Sequence, residues 1–497
     1  MKERNTMNKQ IRRAITLILS AATVVGIASC SKEQTPSDDS KTPVGTTADV
    51  TSLKSGPVFP DLEFDNEEIL FLTEDSDNSL YMSREIYAES QNGELINDAV
   101  YKRNLKVEEQ FKVKIAEERV SDATDQAHRT LLAGDDVYDV VMPYMNTSIN
   151  NALEGLYLNL YDVPHLELDN PWWDQRANES LTVGGNLYFT TGDISILDNE
   201  CSMVIFFNKK IIEDNKLDNP YELVRSGKWT MDKFFGMIGD AASDLNGDSE
   251  MKIEDDQFGL FCQSNVTHSL WFGTGERIST VDKSGNIKLS MKSERSAEII
   301  PYILENCYSD SVSQLYTWSN DGFRKSVSAF NGGRILFAGW ALVDINSIRD
   351  CKFDFGILPY PKYNESQDEY YNLISTVLVP GVSIPVTNSE PEKAGLILEA
   401  MAYYSVDTLT AAYYDNALHT RYIRDEESGE MLDIIFATRV YDLGFISNVG
   451  GLGKLMENMF SKKKTNFASE YESMSSAAET ALEKLTESFR KAAVSQK

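Results

Sequence analysis

The chain is short of the residues on which much catalysis depends. Its 497 residues include four histidines, His128, His165, His268 and His419. None belongs to a His-Glu-x-x-His pair, and no Gly-x-Ser-x-Gly, phosphate-binding loop or dinucleotide fingerprint occurs. The common hydrolytic and nucleotide chemistries therefore lose their support. Five cysteines are present, with no Cys-x-x-Cys among them, which disfavours a zinc site made from cysteines alone. Cys201, Cys262, Cys307 and Cys351 are widely spaced, and their spacing fits disulfides and buried free thiols equally. Positive charge is also scarce. Lys and Arg number 47 against 77 Asp and Glu, a net charge of −30. That excess repels phosphate backbones, so nucleic-acid partners are disfavoured. No internal repeat is visible, and no long apolar run follows the first thirty residues.

What is present begins at that N-terminal run. Lys9, Arg12 and Arg13 precede an apolar stretch from Ile15 to Ala28, and Ile27-Ala28-Ser29-Cys30 closes it. This resembles a bacterial lipoprotein signal peptide with its lipobox, too short for a membrane span. It implies cleavage before Cys30, acylation of that cysteine and a membrane-anchored, extracytoplasmic protein. A leader of residues 1–29 carries five basic residues against one acidic, so the mature chain holds about −34. Residues 30–58 are rich in Ser, Thr, Asp, Lys and Pro, the composition of a disordered tether. The remainder is longer than one core usually serves, so two lobes are expected.

The folded part starts near Pro60. A strand pattern at Glu68–Thr73 leads into helical spacing at Ile96, Val100, Val107 and Phe111, then into a second strand at Val113–Ala116. Ser121 and Asp122 can cap the next helix, with Leu131 and Leu132 on its apolar side and Gly134 at its end. Tyr138–Met142 is again strand-like, giving β-α-β-α-β, the opening of an α/β lobe. Ligands in such sheets sit beyond the carboxyl ends of strands, so Met142-Pro143-Tyr144-Met145-Asn146 should face a cleft. Later, Thr230 and Ser293 read as helix caps. Ile278–Val281 and Ile287–Met291 flank a hairpin turn, and Tyr471–Val494 reads as a long terminal helix.

One segment has metal-ligand spacing. Asp244, Asn246, Asp248, Glu250 and Asp255 occupy positions 1, 3, 5, 7 and 12 of a calcium-type loop, where position 7 would offer its carbonyl. Ser249 stands where glycine is expected, Lys252 holds position 9, and Asp255 is shorter than the usual glutamate. A structural calcium ion and an acidic Asx-turn loop both fit.

Four further stretches carry a family resemblance: Asp139-Val140-Val141-Met142; Val204 to Lys209; Phe330-Asn331-Gly332-Gly333-Arg334 with Gly339-Trp340; and Phe353-Asp354-Phe355-Gly356-Ile357-Leu358-Pro359-Tyr360-Pro361. In this order, behind a lipobox, they resemble family 1 extracellular solute-binding proteins, the lipoprotein receptors of ATP-binding-cassette importers. The resemblance implies an α/β, two-lobed periplasmic-binding-protein-like fold of type II, its lobes joined by hinge crossings. Lobe 1 would comprise 59–207 plus 355–404 and lobe 2 208–354 plus 405–497, with crossings near 200–208, 353–358 and 404. The protein would capture a solute, most naturally a sugar or oligosaccharide, and deliver it to the permease of an ABC importer without chemistry or a required cofactor. A long insertion around Pro171-Trp172-Trp173-Asp174 and Asp193 to Glu200 departs from better-known members.

Aromatic rings suit sugars because a pyranose C–H face stacks on them while hydroxyls seek polar groups. Trp340, beside Gly339, is the first candidate, followed by Trp271, Trp318, Trp172 and Trp173; Trp229 reads as structural. Tyr144, Asn146 and Asp344 are the candidate hydroxyl partners. A polyamine or peptide receptor of the same fold would need an acidic cleft. A secreted glycosidase would need two facing carboxylates about 5 to 10 Å apart.

Overall fold

A computed structural model describes residues 56–75, 84–414 and 425–495. The lipobox with Cys30, and the tether except for residues 56–58, lie outside the described residues. The latter belong to the N-terminal unit, and Phe59 onward forms one compact unit.

That unit is built on two principal sheets. The first follows from the alternation read in the sequence. Strand β1 (Glu67–Glu74) precedes helix α1 (Leu95–Phe111), β2 (Val113–Val120), α2 (Ala123–Ala133) and β3 (Val140–Met142). All three strands are parallel in the order β2-β1-β3. Asp122 caps α2 by accepting from Asp125 N at 2.8 Å, and Gly134 closes it at φ 78°. Leu131 is buried but Leu132 is 60% exposed, which corrects its expected place on the apolar side. Helix α3 (Met145–Leu153) starts immediately beyond β3.

The second sheet has five strands in the order β10-β4-β9-β5-β8. The chain that builds it runs β4 (Met203–Asn208), α4 (Met231–Ala241), β5 (Phe258–Gln263), α5 (Ser264–Gly273), a separate two-stranded hairpin of β6 (Ser279–Val281) and β7 (Ile287–Leu289), α6 (Glu294–Cys307), β8 (Val312–Leu315), α7 (Asn320–Asn331), β9 (Ile335–Ala341) and β10 (Phe355–Leu358). Thr230 and Ser293 cap α4 and α6 as expected. Two core clusters cover the faces of this sheet, one against α4, α5 and α6 and the other against α7. All four cysteines from Cys201 onward are buried and free.

Strand pairing joins segments that the sequence reading assigned to different lobes. Strand β4 pairs antiparallel with both β9 and β10, so residues 203–207 and 355–358 belong to the second sheet. Residues 355–358 therefore form a strand of the second sheet, beside β4. The chain regains the first sheet only at 380–385, where Ser383 bridges Val141 and Pro380 bridges Tyr144. Helix α8 (Pro391–Ser405) then packs on α1, while α9 (Glu426–Ala437) packs on β10.

Three connecting segments meet at the hinge. Short strand β11 (Asn372–Leu373) pairs parallel with β12 (Arg439–Val440), and Ser202 bridges Ile374. Arg439 ties this junction to the long insertion. Its guanidinium lies 2.8 Å from Asp174 and 3.3 Å from Asp198, and it donates to Asn199 Oδ1 at 2.8 Å. Tyr441 donates to the same Asp174 carboxylate at 2.8 Å. Beyond α10 (Leu455–Ser461), helix α11 (Phe467–Ser495) threads both cores: Phe467, Tyr471 and Ala478 enter that of lobe 2, and Leu485, Phe489 and Ala492 that of lobe 1.

Near the Arg439 cluster, Asp193 accepts from Thr410 Oγ1 at 3.1 Å, and burial raises its carboxyl to a pKa of about 6. A raised carboxyl contributes stability that is complete below its unfolded pKa and is lost as pH rises through the folded one. Asp193→Asn should therefore gain on wild type between pH 5 and pH 8, by about 1 to 2 kcal/mol in chemical denaturation. Parallel curves at the two pH values would refute the assignment.

Candidate functional site

Two strand-to-helix junctions, one from each sheet, face a common cleft of 470 Å³. In lobe 1 the chain leaves the carboxyl end of β3 and enters α3, whose Asn146 and Asn150 line the cleft. In lobe 2 it leaves β5 and enters α5, whose Ser264, Asn265 and His268 line the opposite wall. Neither helix carries a side-chain cap. At the start of α3 backbone carbonyls take that place, Val379 accepting from Met145 N at 2.9 Å and Thr376 from Asn146 N at 3.2 Å. Met203, Leu373 and Ile374 from the hinge form an apolar floor.

The walls are polar but nearly free of charge. Ser375, Thr376, Ser447 and Asn448 add hydroxyls and another amide, while Lys454 and Glu457, at the start of α10, contribute one charge of each sign. Asn146, Asn265 and Asn448 each keep a buried side-chain oxygen without a hydrogen-bond partner. Groups in that state gain most when a ligand supplies the missing donor. His268 is 6% exposed, its Nδ1 lies 3.1 Å from the Ser264 carbonyl, and burial lowers its pKa to about 4. It is therefore a neutral imidazole at physiological pH. Phe445 supplies the cleft with an aromatic ring, held edge-on by Phe272 at 5.4 Å and tilted against His268 at 5.4 Å.

None of the five tryptophans nominated from sequence is among the cleft's lining residues. Trp340 is fully buried among Phe206, Phe261, Phe323 and Phe330, because β9 is the central strand and α7 covers that face. Trp271 is buried on α5 and donates to Ser296 Oγ at 3.1 Å. Trp172 and Trp173 both donate to the buried carboxylate of Glu399 on α8, at 3.0 and 2.8 Å. Their indoles thus fasten the insertion onto lobe 1. Trp229 is buried and donates to the Pro359 carbonyl at 2.9 Å. Trp318 is 61% exposed, outside the cleft lining. Asp344 is buried and accepts from Ala341 N at 3.2 Å, which makes it a turn-closing group. Tyr144 takes the N-cap position of α3, next to the cleft, and Asn146 lines it.

Sequence reasoning passed over Asn265, His268, Phe445 and Asn448. The first two had a signal, since they follow directly on the apolar strand 258–263 just as Asn146 follows 140–142. Phe445 and Asn448 had none, because their place depends on contacts between α10, the preceding turn and α5.

The Asp244 loop keeps its carboxylates busy. Asp244 accepts from Gly247 N and Ser249 N at 2.6 and 2.8 Å, Asn246 from Asp248 N, and Asp248 from Glu250 N, with Ser249 at φ 67°. Lys252 Nζ lies 3.3 Å from Asp248 and 2.7 Å from Glu250. Asp256, and not Asp255, closes the loop by accepting from Leu245 N and Lys252 N. Among the described residues no group of three or more His, Cys, Asp or Glu side chains is arranged to hold a metal ion.

No protein-family model matches the sequence, and no curated protein does. Solved structures match in fold. A cyclo/maltodextrin-binding protein complexed with maltotetraose aligns with a TM-score of 0.55 at 13% identity, over 86% of this chain and 98% of that one. The GacH receptor of Streptomyces glaucescens GLA.O, solved unliganded and with acarbose, gives 0.51 at 12% identity over 86% and 98%. An ABC substrate-binding protein from Listeria monocytogenes in complex with cycloalternan gives 0.51 at 12% identity over 85% and 99%. The chain has the two-lobed periplasmic-binding-protein-like α/β fold that the sequence resemblance implied.

Asp244, Asn246 and Asp248 already spend side-chain oxygens on backbone N–H groups of the loop, and Lys252 sits between Asp248 and Glu250, where a calcium ion would have to compete. Melting curves of the purified protein in millimolar calcium and in chelator should coincide within about 1 °C. A calcium-dependent rise of several degrees would instead assign the loop a structural ion.

Proposed function

We propose that this protein is an extracytoplasmic receptor, anchored by lipid on Cys30, that captures a carbohydrate in the cleft and passes it to the permease of an ABC importer. The observation that carries the proposal is the makeup of the cleft. Amides, hydroxyls and a neutral imidazole from both lobes surround one aromatic ring, over an apolar floor. A sugar asks for that combination, many hydrogen bonds around its edge and a flat apolar surface for its C–H face. Because both lobes contribute, a bound solute would bias them toward closure, the signal a permease needs.

The alternatives find less to work with. A polyamine site would gather carboxylates, yet Glu457 is the one carboxylate that lines the cleft and Lys454 is beside it. Two carboxylates about 5 to 10 Å apart, as glycoside hydrolysis requires, are not among its lining residues. The anchor is argued from the lipobox, and no helix among the described residues is long and apolar enough to cross a membrane.

The test is a thermal-shift screen of the soluble form from Ser31 onward against neutral mono- and oligosaccharides, polyamines and peptides. A neutral saccharide is expected to raise the melting temperature and to be recovered unchanged, since a ligand of the folded state alone stabilises by about 2.7 kcal/mol at a hundredfold excess over Kd. Phe445→Leu, which keeps apolar bulk without a flat ring, should weaken that saccharide by about tenfold. A response to polyamines or peptides alone would sink the carbohydrate assignment, and a consumed sugar would move the protein among enzymes.

A further inference from the structure

Trp318 is the exposed member of the chain's six tryptophans, the other five being buried. Its place follows from strand pairing. Edge strand β8 runs parallel to β5, and its last residue, Leu315, pairs with Gln263, which immediately precedes α5. The chain leaving β8 therefore emerges from the same carboxyl edge as Ser264 and Asn265, which line the cleft.

The loop that carries Trp318 is fixed on both sides. Before it, the Tyr316 ring packs against Phe460 at 5.0 Å and Tyr308 at 6.3 Å, with Lys463 Nζ 4.7 Å above it. Phe460 belongs to α10, the helix whose first turn brings Glu457 to the cleft. After it, Ser319 caps α7 by accepting from Gly322 N at 3.1 Å. Trp318 is thus a large ring held in water by a pinned loop, where tryptophan is ordinarily well buried. An indole face presented in this way, on a loop leaving the sheet edge that the cleft uses, suits a second sugar ring stacked outside the enclosed volume.

We propose that Trp318 is an outer stacking platform, and that the solute is an extended saccharide whose inner rings sit in the cleft against Phe445 while an outer ring lies over Trp318. This rests on the carbohydrate assignment and adds a chain length to it. Phe445 serves every length, and Trp318 serves only ligands long enough to leave the cleft.

The experiment is calorimetric titration of the soluble protein with malto-, cello-, manno- and xylo-oligosaccharides, each from one to six units, for wild type, Trp318→Ala and Phe445→Leu. An exposed position should leave the melting temperature of Trp318→Ala close to that of wild type. In the series that binds, wild type should gain affinity with length, and Trp318→Ala should lose about tenfold for the longer members and nothing for the shortest. Phe445→Leu should lose affinity at every length. Equal affinities of Trp318→Ala and wild type for all lengths, or an equal loss at all lengths, would overturn the outer platform and leave the receptor standing. Silence in all four series would overturn the carbohydrate assignment, and the platform with it.

Discussion

The buried charge of Arg439 organises the hinge on which the two lobes depend. It sits on β12, in register with β11, and reaches Asp174 and Asp198 in the insertion that precedes β4. One side chain thereby links all three connecting segments to lobe 1. Taking a guanidinium and two carboxylates out of water is costly, and the cost is recovered only if all partners stay in place. Asp198 shows the strain of that balance: burial pushes its carboxyl upward and Arg439 pulls it back. Removing Arg439 alone would leave Asp174 and Asp198 buried without their counter-charge. A hinge held by such a cluster has a defined geometry, because a slipped register leaves a bare charge in the interior.

The cleft inherits its composition from that geometry. Each lobe offers the carboxyl end of a parallel strand followed at once by a helix without a side-chain cap, so the hinge brings two similar polar junctions face to face. The remaining wall comes from Phe445 to Glu457, whose place is secured from behind by α11. Gly450, at φ 54°, allows that contact: a Cβ there would stand 2.3 Å from the Ala478 backbone. Helix α11 also enters the core of lobe 1, where the Phe489 carbonyl accepts from Tyr188, so one helix is anchored in both cores.

Local chemistry made much of the fold legible. The apolar run in Glu68–Thr73, caps at Asp122, Thr230 and Ser293, and a glycine at 134 all act over a few residues, and each appears where the sequence put it. The shared sheet of β4 and β10 was not legible because the two strands are paired across more than a hundred residues, and a strand crossing between lobes looks locally like one that stays. Trp172 and Trp173 were weighed as stacking surfaces because their partner, Glu399, is more than two hundred residues away. Asn146 could be placed at the cleft since it follows a strand end. Phe445 could not, as nothing near it in sequence marks the turn that presents it.

The distribution of charge completes the case for how the cleft discriminates. The chain is strongly acidic, −30 over its whole length, yet its cleft carries only Glu457 with Lys454 beside it. The acidic surface therefore opposes the approach of anions at long range, as far as salt permits. A cation drawn by that field would meet Lys454 beside the single carboxylate of Glu457. A neutral, hydroxyl-rich solute pays neither penalty. Its approach is unsteered, so its affinity must come from amide and hydroxyl contacts made after arrival and from the lobes that bring those contacts together.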